Sequence, residues 1–199
     1  MDSVFSHRRS IRLRGYDYRQ AGAYFVTLCA QDRACLFGAI EHGKLDLSPA
    51  GLMIRQVWIE MALRYPGVTV DQFVTMPNHL HGIIIMAAGE ELSVGAGPCA
   101  CPALDADGRP QGAAPTKLRL GDLVQRFKTL TTRRYATAVR EQKWPAFRDR
   151  IWQRNYYEHV IRDEDELLRA RTYIQENPLK WDLDPENAAH VQSRYEIHV

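Results

Sequence analysis

The stretch MPNHLHGIII, residues 76–85, opens on a proline turn, sets two histidines one residue apart and closes on three isoleucines. Its β-branched, apolar end predicts a strand, and a strand sends alternate side chains to opposite faces. His79 and His81 therefore share one face, and Leu80 takes the other. A chain with seven histidines in 199 residues has put two of them at the head of one of its most apolar segments. They are either buried polar groups satisfied by the core or two ligands of a metal site. The flanking segments bear on that choice.

Immediately upstream, residues 68–75 (VTVDQFVT) predict a strand, and residues 76–78 a tight turn into the next strand over 81–86. Residues 23–31 (AYFVTLCAQ) predict an earlier strand, and residues 36–47 a short hairpin turning at His42-Gly43. Ser48 then supplies a helix N-cap with Pro49 in the first turn, and the helix runs to Tyr65 before Pro66-Gly67 ends it. Downstream, residues 87–116 are rich in Gly, Ala and Pro, with no periodicity and no aromatic residue, and predict a flexible low-complexity insertion. Leu120, Leu123, Val124, Phe127 and Leu130 recur at helical spacing within 118–139. Residues 144–161 leave a choice between a short strand and an irregular connection. Asp163 caps a last helix, Glu164, Asp165 and Glu166 complement its dipole, Leu167, Ala170 and Ile174 mark its buried side, and Pro178 predicts its stop. This order predicts a single α+β domain over residues 1–199, a ferredoxin-like antiparallel sheet with helices packed on one face.

Apolar content of 45% with 25% charged residues is that of a soluble globular protein, and no apolar run approaches the ~20 residues of a membrane span. The N-terminus carries charge but no apolar signal segment, so a cytoplasmic location with no membrane partner is expected. Cys29, Cys35, Cys99 and Cys101 lack zinc-ribbon spacing and read as free thiols of a reducing compartment. Net charge is only +2, but residues 116–154 hold eleven Lys and Arg against three acidic residues, about +8, which leaves about −6 elsewhere. A second cluster, including Arg12 and Arg14, forms a basic arm over residues 1–20. Cations interleaved with Phe127, Tyr135, Trp144, Phe147 and Trp152 suit a nucleic-acid surface, the other reading being a solvated helix face. The candidate phosphate contacts are Arg12, Arg14, Lys117, Arg119, Arg126, Lys128, Arg133, Arg134 and Arg154.

Within RTYIQENP the last helix puts Tyr173 and Asn177 four residues apart, on one face at the border of the core. Alone, such a tyrosine reads as packing with a wet hydroxyl. With the histidine pair, the Asn177 carboxamide oxygen completes three neutral ligands for a divalent cation, and Tyr173 stands where an attacking oxygen is needed. A phenol is a poor nucleophile at its ordinary pKa of ~10, and a nearby cation favours the phenolate. Attack on a DNA phosphodiester gives a phosphotyrosine that keeps the bond energy, so the strand can be rejoined. Tyr156 and Tyr157 are the rival nucleophiles. Glu158 and His159 read as supporting residues that orient a ligand or water. Two other readings stay open: a hairpin-binding protein without chemistry, and a small-nucleotide phosphohydrolase, for which no Gly-rich phosphate loop is present.

The segments YFVTLCAQDR, VTMPNHLHGIII, RNYYEHVIRDEDEL and YIQENPLKW together resemble the REP-associated tyrosine transposases, a branch of the HUH single-tyrosine transposases, from Tyr24 to Trp181. The resemblance implies Mg2+ or Mn2+ held by His79 and His81, with Asn177 in the third-ligand position and Tyr173 as nucleophile. It implies cleavage of single-stranded DNA beside palindromic hairpins through a 5′-phosphotyrosine, with no nucleotide cofactor. It also implies a monomer or homodimer in the bacterial cytoplasm, nucleoid-associated when on DNA. The 87–116 insertion is this chain's departure from that family, in which many relatives lack or shorten it.

Overall fold

The computed structural model describes residues 16–87 and 118–187. Arg12, Arg14, Lys117, Cys99, Cys101 and residues 88–116 of the expected insertion lie outside the described residues. Among the described residues, six strands and three α-helices follow one another as β1 (Gly22–Cys29), β2 (Gly38–Glu41), β3 (Lys44–Leu47), α1 (Pro49–Arg64), β4 (Val68–Thr75), β5 (His79–Met86), α2 (Leu120–Gln142), β6 (Tyr157–Ile161) and α3 (Glu164–Glu176). β2 and β3 pair as a separate hairpin, and the other strands form one antiparallel sheet in the order β4-β5-β1-β6. Apart from the hairpin, the chain order βαββαβ is the expected ferredoxin-like arrangement.

The pleat of β5 divides the molecule into two layers. Leu80, Ile84 and Met86 face the larger core with Ile54, Val57 and Trp58 of α1 and Leu123 and Phe127 of α2. Gly82 lies on that face beneath Trp58, and a Cβ there would meet the indole Cζ2 at 2.5 Å. Gly82→Ala is therefore expected to overpack the core and lower stability by about 1–3 kcal/mol, read from urea unfolding midpoints.

The opposite face carries His79, His81 and Ile83, and α3 covers part of it by packing Ile174 against Ile83 and Ile161. The expected helical layer is thus α1 and α2, with α3 added on the other side. That second apolar cluster is small, and an ion pair reinforces it. The carboxylate of Asp71, at an irregularity in the β4 register between Val70 and Phe73, accepts from Arg171 Nη2 at 2.6 Å and Nε at 3.1 Å. The clasp fixes the helix that carries Tyr173 to the sheet edge.

Several boundaries differ from expectation for local reasons. β1 ends at Cys29, because the chain turns at Gln31–Arg33, with Asp32 and Arg33 at positive φ. β5 begins at His79, two residues ahead of the expected strand over 81–86, so both histidines sit in the ladder. The open segment 144–161 ends in a true strand, β6, paired to β1. α3 ends at Glu176, ahead of Pro178 as expected, but the chain's helical course continues. Asn177 keeps a right-handed helical backbone, and a 3-10 segment, Asn177–Leu183, takes the proline into its first turn, where no N–H is required.

A candidate metal and nucleophile site

β1 and β5 lock the two imidazoles in register, His81 opposite Thr27 and His79 opposite Cys29. The rings lie 4.4 Å apart, centre to centre, and both are buried. Each uses Nδ1 internally: His79 Nδ1 lies 2.8 Å from Asn78 Oδ1, and His81 Nδ1 lies 2.8 Å from Thr27 Oγ1. Both Nε2 atoms are buried and without a hydrogen-bond partner. The 3-10 segment after α3 then brings Asp184 back to this face, where its Oδ2, also buried and without a partner, stands 3.7 Å from His79 Nε2. One donor atom each from His79, His81 and Asp184 falls within 4.8 Å of the others.

Three buried polar atoms brought together without a hydrogen-bond partner are unfavourable unless a cation joins them. Two imidazoles and a carboxylate are a donor set that a divalent metal accepts. The residues present therefore fit such an ion. Burial holds both imidazoles neutral: His81 is pushed down to about 3, and His79 well below its ordinary value by burial, by His81 and by Arg33. Burial pushes the Asp184 carboxyl up, against the Glu186 N–H that donates to its Oδ1 at 2.7 Å.

α3 places the Tyr173 ring 5.2 Å from that of His81 and 5.9 Å from that of Phe25. The tyrosine is 43% exposed, at the mouth of the site rather than inside it. Burial and the Asp184 charge raise its pKa, and the Asn177 side chain acts in the opposite direction. Asn177 is buried beside Tyr173 and Asp184, with Oδ1 free of hydrogen-bond partners. It stands beside the His79, His81 and Asp184 group, and Asp184 is the carboxylate that sequence reasoning missed. Tyr157 and His159 project onto the same face, opposite Thr27 and Phe25, with His159 Nε2 3.4 Å from Glu166 Oε2. Glu158 lies opposite Val26 and so points to the other face, away from the histidines.

A cleft of about 680 Å³ opens over Tyr173, lined by Phe25, His81, Tyr157, His159 and Arg169. It shares Thr27, Tyr157 and Glu186 with a second groove of about 860 Å³ that contains Arg33, Arg150 and Arg154. That groove in turn meets a third, of about 520 Å³, along Arg154 and Tyr156, which reaches Arg133. The candidate cations divide accordingly. Arg133 and Arg154 are exposed in this trough. Lys128 instead donates to the carbonyls of Gln153 at 2.9 Å and Asn155 at 3.1 Å, and burial pushes its pKa down to about 8. Arg134 is bound to Glu60 through two hydrogen bonds, at 3.1 and 2.8 Å. Arg126 lies over the Tyr65 ring, and Arg119 is exposed at the N-cap position of α2, where its backbone N–H donates to Asp122 Oδ2 at 3.0 Å.

No helix among the described residues is long and apolar enough to cross a membrane. No family model matches the chain. It is 41% identical over 182 residues to an uncharacterized protein of Haemophilus influenzae, covering 89% of this chain and 92% of that protein. A second Haemophilus influenzae protein, named "Putative REP-associated tyrosine transposase", is 25% identical over 167 residues, 82% of this chain and 74% of that protein. Among solved structures, a REP-associated tyrosine transposase bound to a REP hairpin has the same fold. Its TM-score is 0.52 at 19% identity, over 85% of this chain and 73% of that one.

Proposed function

Since this chain is related in sequence and in fold to the REP-associated tyrosine transposases, we propose that it is a metal-dependent single-stranded DNA endonuclease and strand transferase acting beside palindromic hairpins. The observation that carries the reading is that His79, His81 and Asp184 each bring a donor atom within 4.8 Å of the others, with the Tyr173 ring 5.2 Å from that of His81. His79, His81 and Asp184 would hold a Mg2+ or Mn2+ ion, with the Asn177 carboxamide oxygen as a further neutral donor. When bound, that ion supplies positive charge that polarises a phosphoryl oxygen and favours the phenolate.

The chain's own residues do the rest. The Tyr173 oxygen forms a bond to phosphorus, and the P–O3′ bond breaks. The phenol proton is lost, and the departing 3′ oxygen takes one up to become a hydroxyl. The strand is left as a 5′-phosphotyrosine, and attack by a 3′-hydroxyl reverses the step without ATP. Arg133 and Arg154, in the trough that runs into the cleft, provide cations for the backbone, and Tyr156 and Tyr157 flat faces for unpaired bases.

Incubation with an end-labelled hairpin oligonucleotide and Mn2+ is expected to give a protein–DNA adduct that survives a denaturing gel and vanishes with chelator. Tight hairpin binding that ignores chelator and yields no adduct would instead identify a binding protein.

A further inference from the structure

The histidine pair has a controlling neighbour in the same motif. Asn78 is wholly buried, and all of its side-chain hydrogen-bonding groups are engaged. Its Nδ2 lies 2.8 Å from the Glu186 carbonyl oxygen and 3.2 Å from that of Arg33. Carbonyl oxygens only accept, so the amide must present both its hydrogens to them, and its orientation is fixed. A flipped amide would set oxygen against two oxygens. Oδ1 therefore faces His79 Nδ1 at 2.8 Å as an acceptor, and Nδ1 must carry the proton. The lone pair of His79 is then forced onto Nε2, the atom that faces Asp184.

His81 is not constrained in this way, because the Thr27 hydroxyl 2.8 Å from its Nδ1 can donate or accept. The same Asn78 amide ties down the chain just beyond Asp184, where Arg33 Nε also holds the Glu186 carboxylate at 3.1 Å. We infer that Asn78 is the positioning residue of this site, committing His79 to the Nδ1–H tautomer while mooring the segment that delivers Asp184. The inference rests on the proposed metal site for its purpose, but the tautomer itself does not.

The test is nitrogen-15 NMR of the histidine side chains in the metal-free protein, joined to Mn2+ titration by electron paramagnetic resonance. His79 is expected to show a protonated Nδ1 and an unprotonated Nε2. Asn78→Ala is expected to mix the tautomers and to weaken Mn2+ binding about 10–100-fold. Asn78→Asp keeps the acceptor but loses both donors. It is expected to retain the Nδ1–H signature while the Glu186 and Asn187 amides exchange hydrogen faster. A wild-type His79 protonated at Nε2 overturns the inference whether or not any variant folds, as does Asn78→Ala with tautomer and Mn2+ affinity unchanged. An Nδ1–H signature in a protein that binds Mn2+ but forms no adduct would leave the positioning role standing and defeat the proposed function. The same signature in a protein that binds no Mn2+ would leave only the tautomer and overturn the positioning role.

Discussion

Tyr173→Phe is expected to lower adduct formation by at least about 10³-fold while leaving hairpin affinity within about twofold, since losing a covalent nucleophile removes the chemical step and little else. The substitution deletes one hydroxyl. The ring keeps its edge contacts with His81 and Phe25, and Ile174 still anchors α3. Because the tyrosine is half-exposed, stability should shift by no more than about 0.5 kcal/mol. The readouts are a denaturing gel for the adduct and an electrophoretic shift for binding. Two other tyrosines supply the controls. Tyr157 lines the same cleft from β6, its ring 6.4 Å from that of Phe25, and Tyr156 sits in the trough with the Lys128 ammonium 5.5 Å from its ring centre. Phenylalanine at either position should leave the adduct in place. An adduct that survives in Tyr173→Phe but disappears in Tyr157→Phe would move the nucleophile to β6.

The alternation of MPNHLHGIII already separates the faces: His79 and His81 do point one way and Leu80 into the larger core. That the second face needs cover was also available, though in a weaker signal. β5 is apolar or imidazole at nearly every position, without the polar alternation of a half-solvated strand, and such a strand needs cover on both faces. The Leu167, Ala170 and Ile174 stripe says that α3 packs, not on which side. The sheet register decides that, and register depends on contacts far apart in sequence. Asp184 was hidden for a related reason. The pre-proline rule ends the helix at Asn177, whereas the 3-10 continuation carries the chain back over the sheet. Its local trace is the acidic run Asp182, Asp184 and Glu186 directly after the tyrosine helix. Likewise, a count of basic residues does not distinguish Arg133, open to the trough, from Arg134, one residue on, which is bound to Glu60.

Asp184→Asn is expected to make the metal-free protein more stable and the metal-loaded protein relatively less so. In the metal-free protein Asp184 Oδ2 and His79 Nε2 face each other at 3.7 Å, both buried and both acceptors once Nδ1 of His79 holds the proton. An asparagine can turn an N–H toward that lone pair while its Oδ1 keeps the bond from the Glu186 amide. One repulsive contact becomes a hydrogen bond and a buried charge is removed, a gain of about 1–2 kcal/mol. With Mn2+ the balance inverts. A ligand that binds only the folded state stabilises it by about 2.7 kcal/mol at a hundred times its dissociation constant, and the variant loses most of this with the carboxylate. Urea unfolding of both proteins in chelator and in Mn2+ should therefore give curves that exchange order. If Asp184→Asn is the less stable protein in chelator and gains as much as wild type from Mn2+, the carboxylate is a structural acceptor and the cation is held without it.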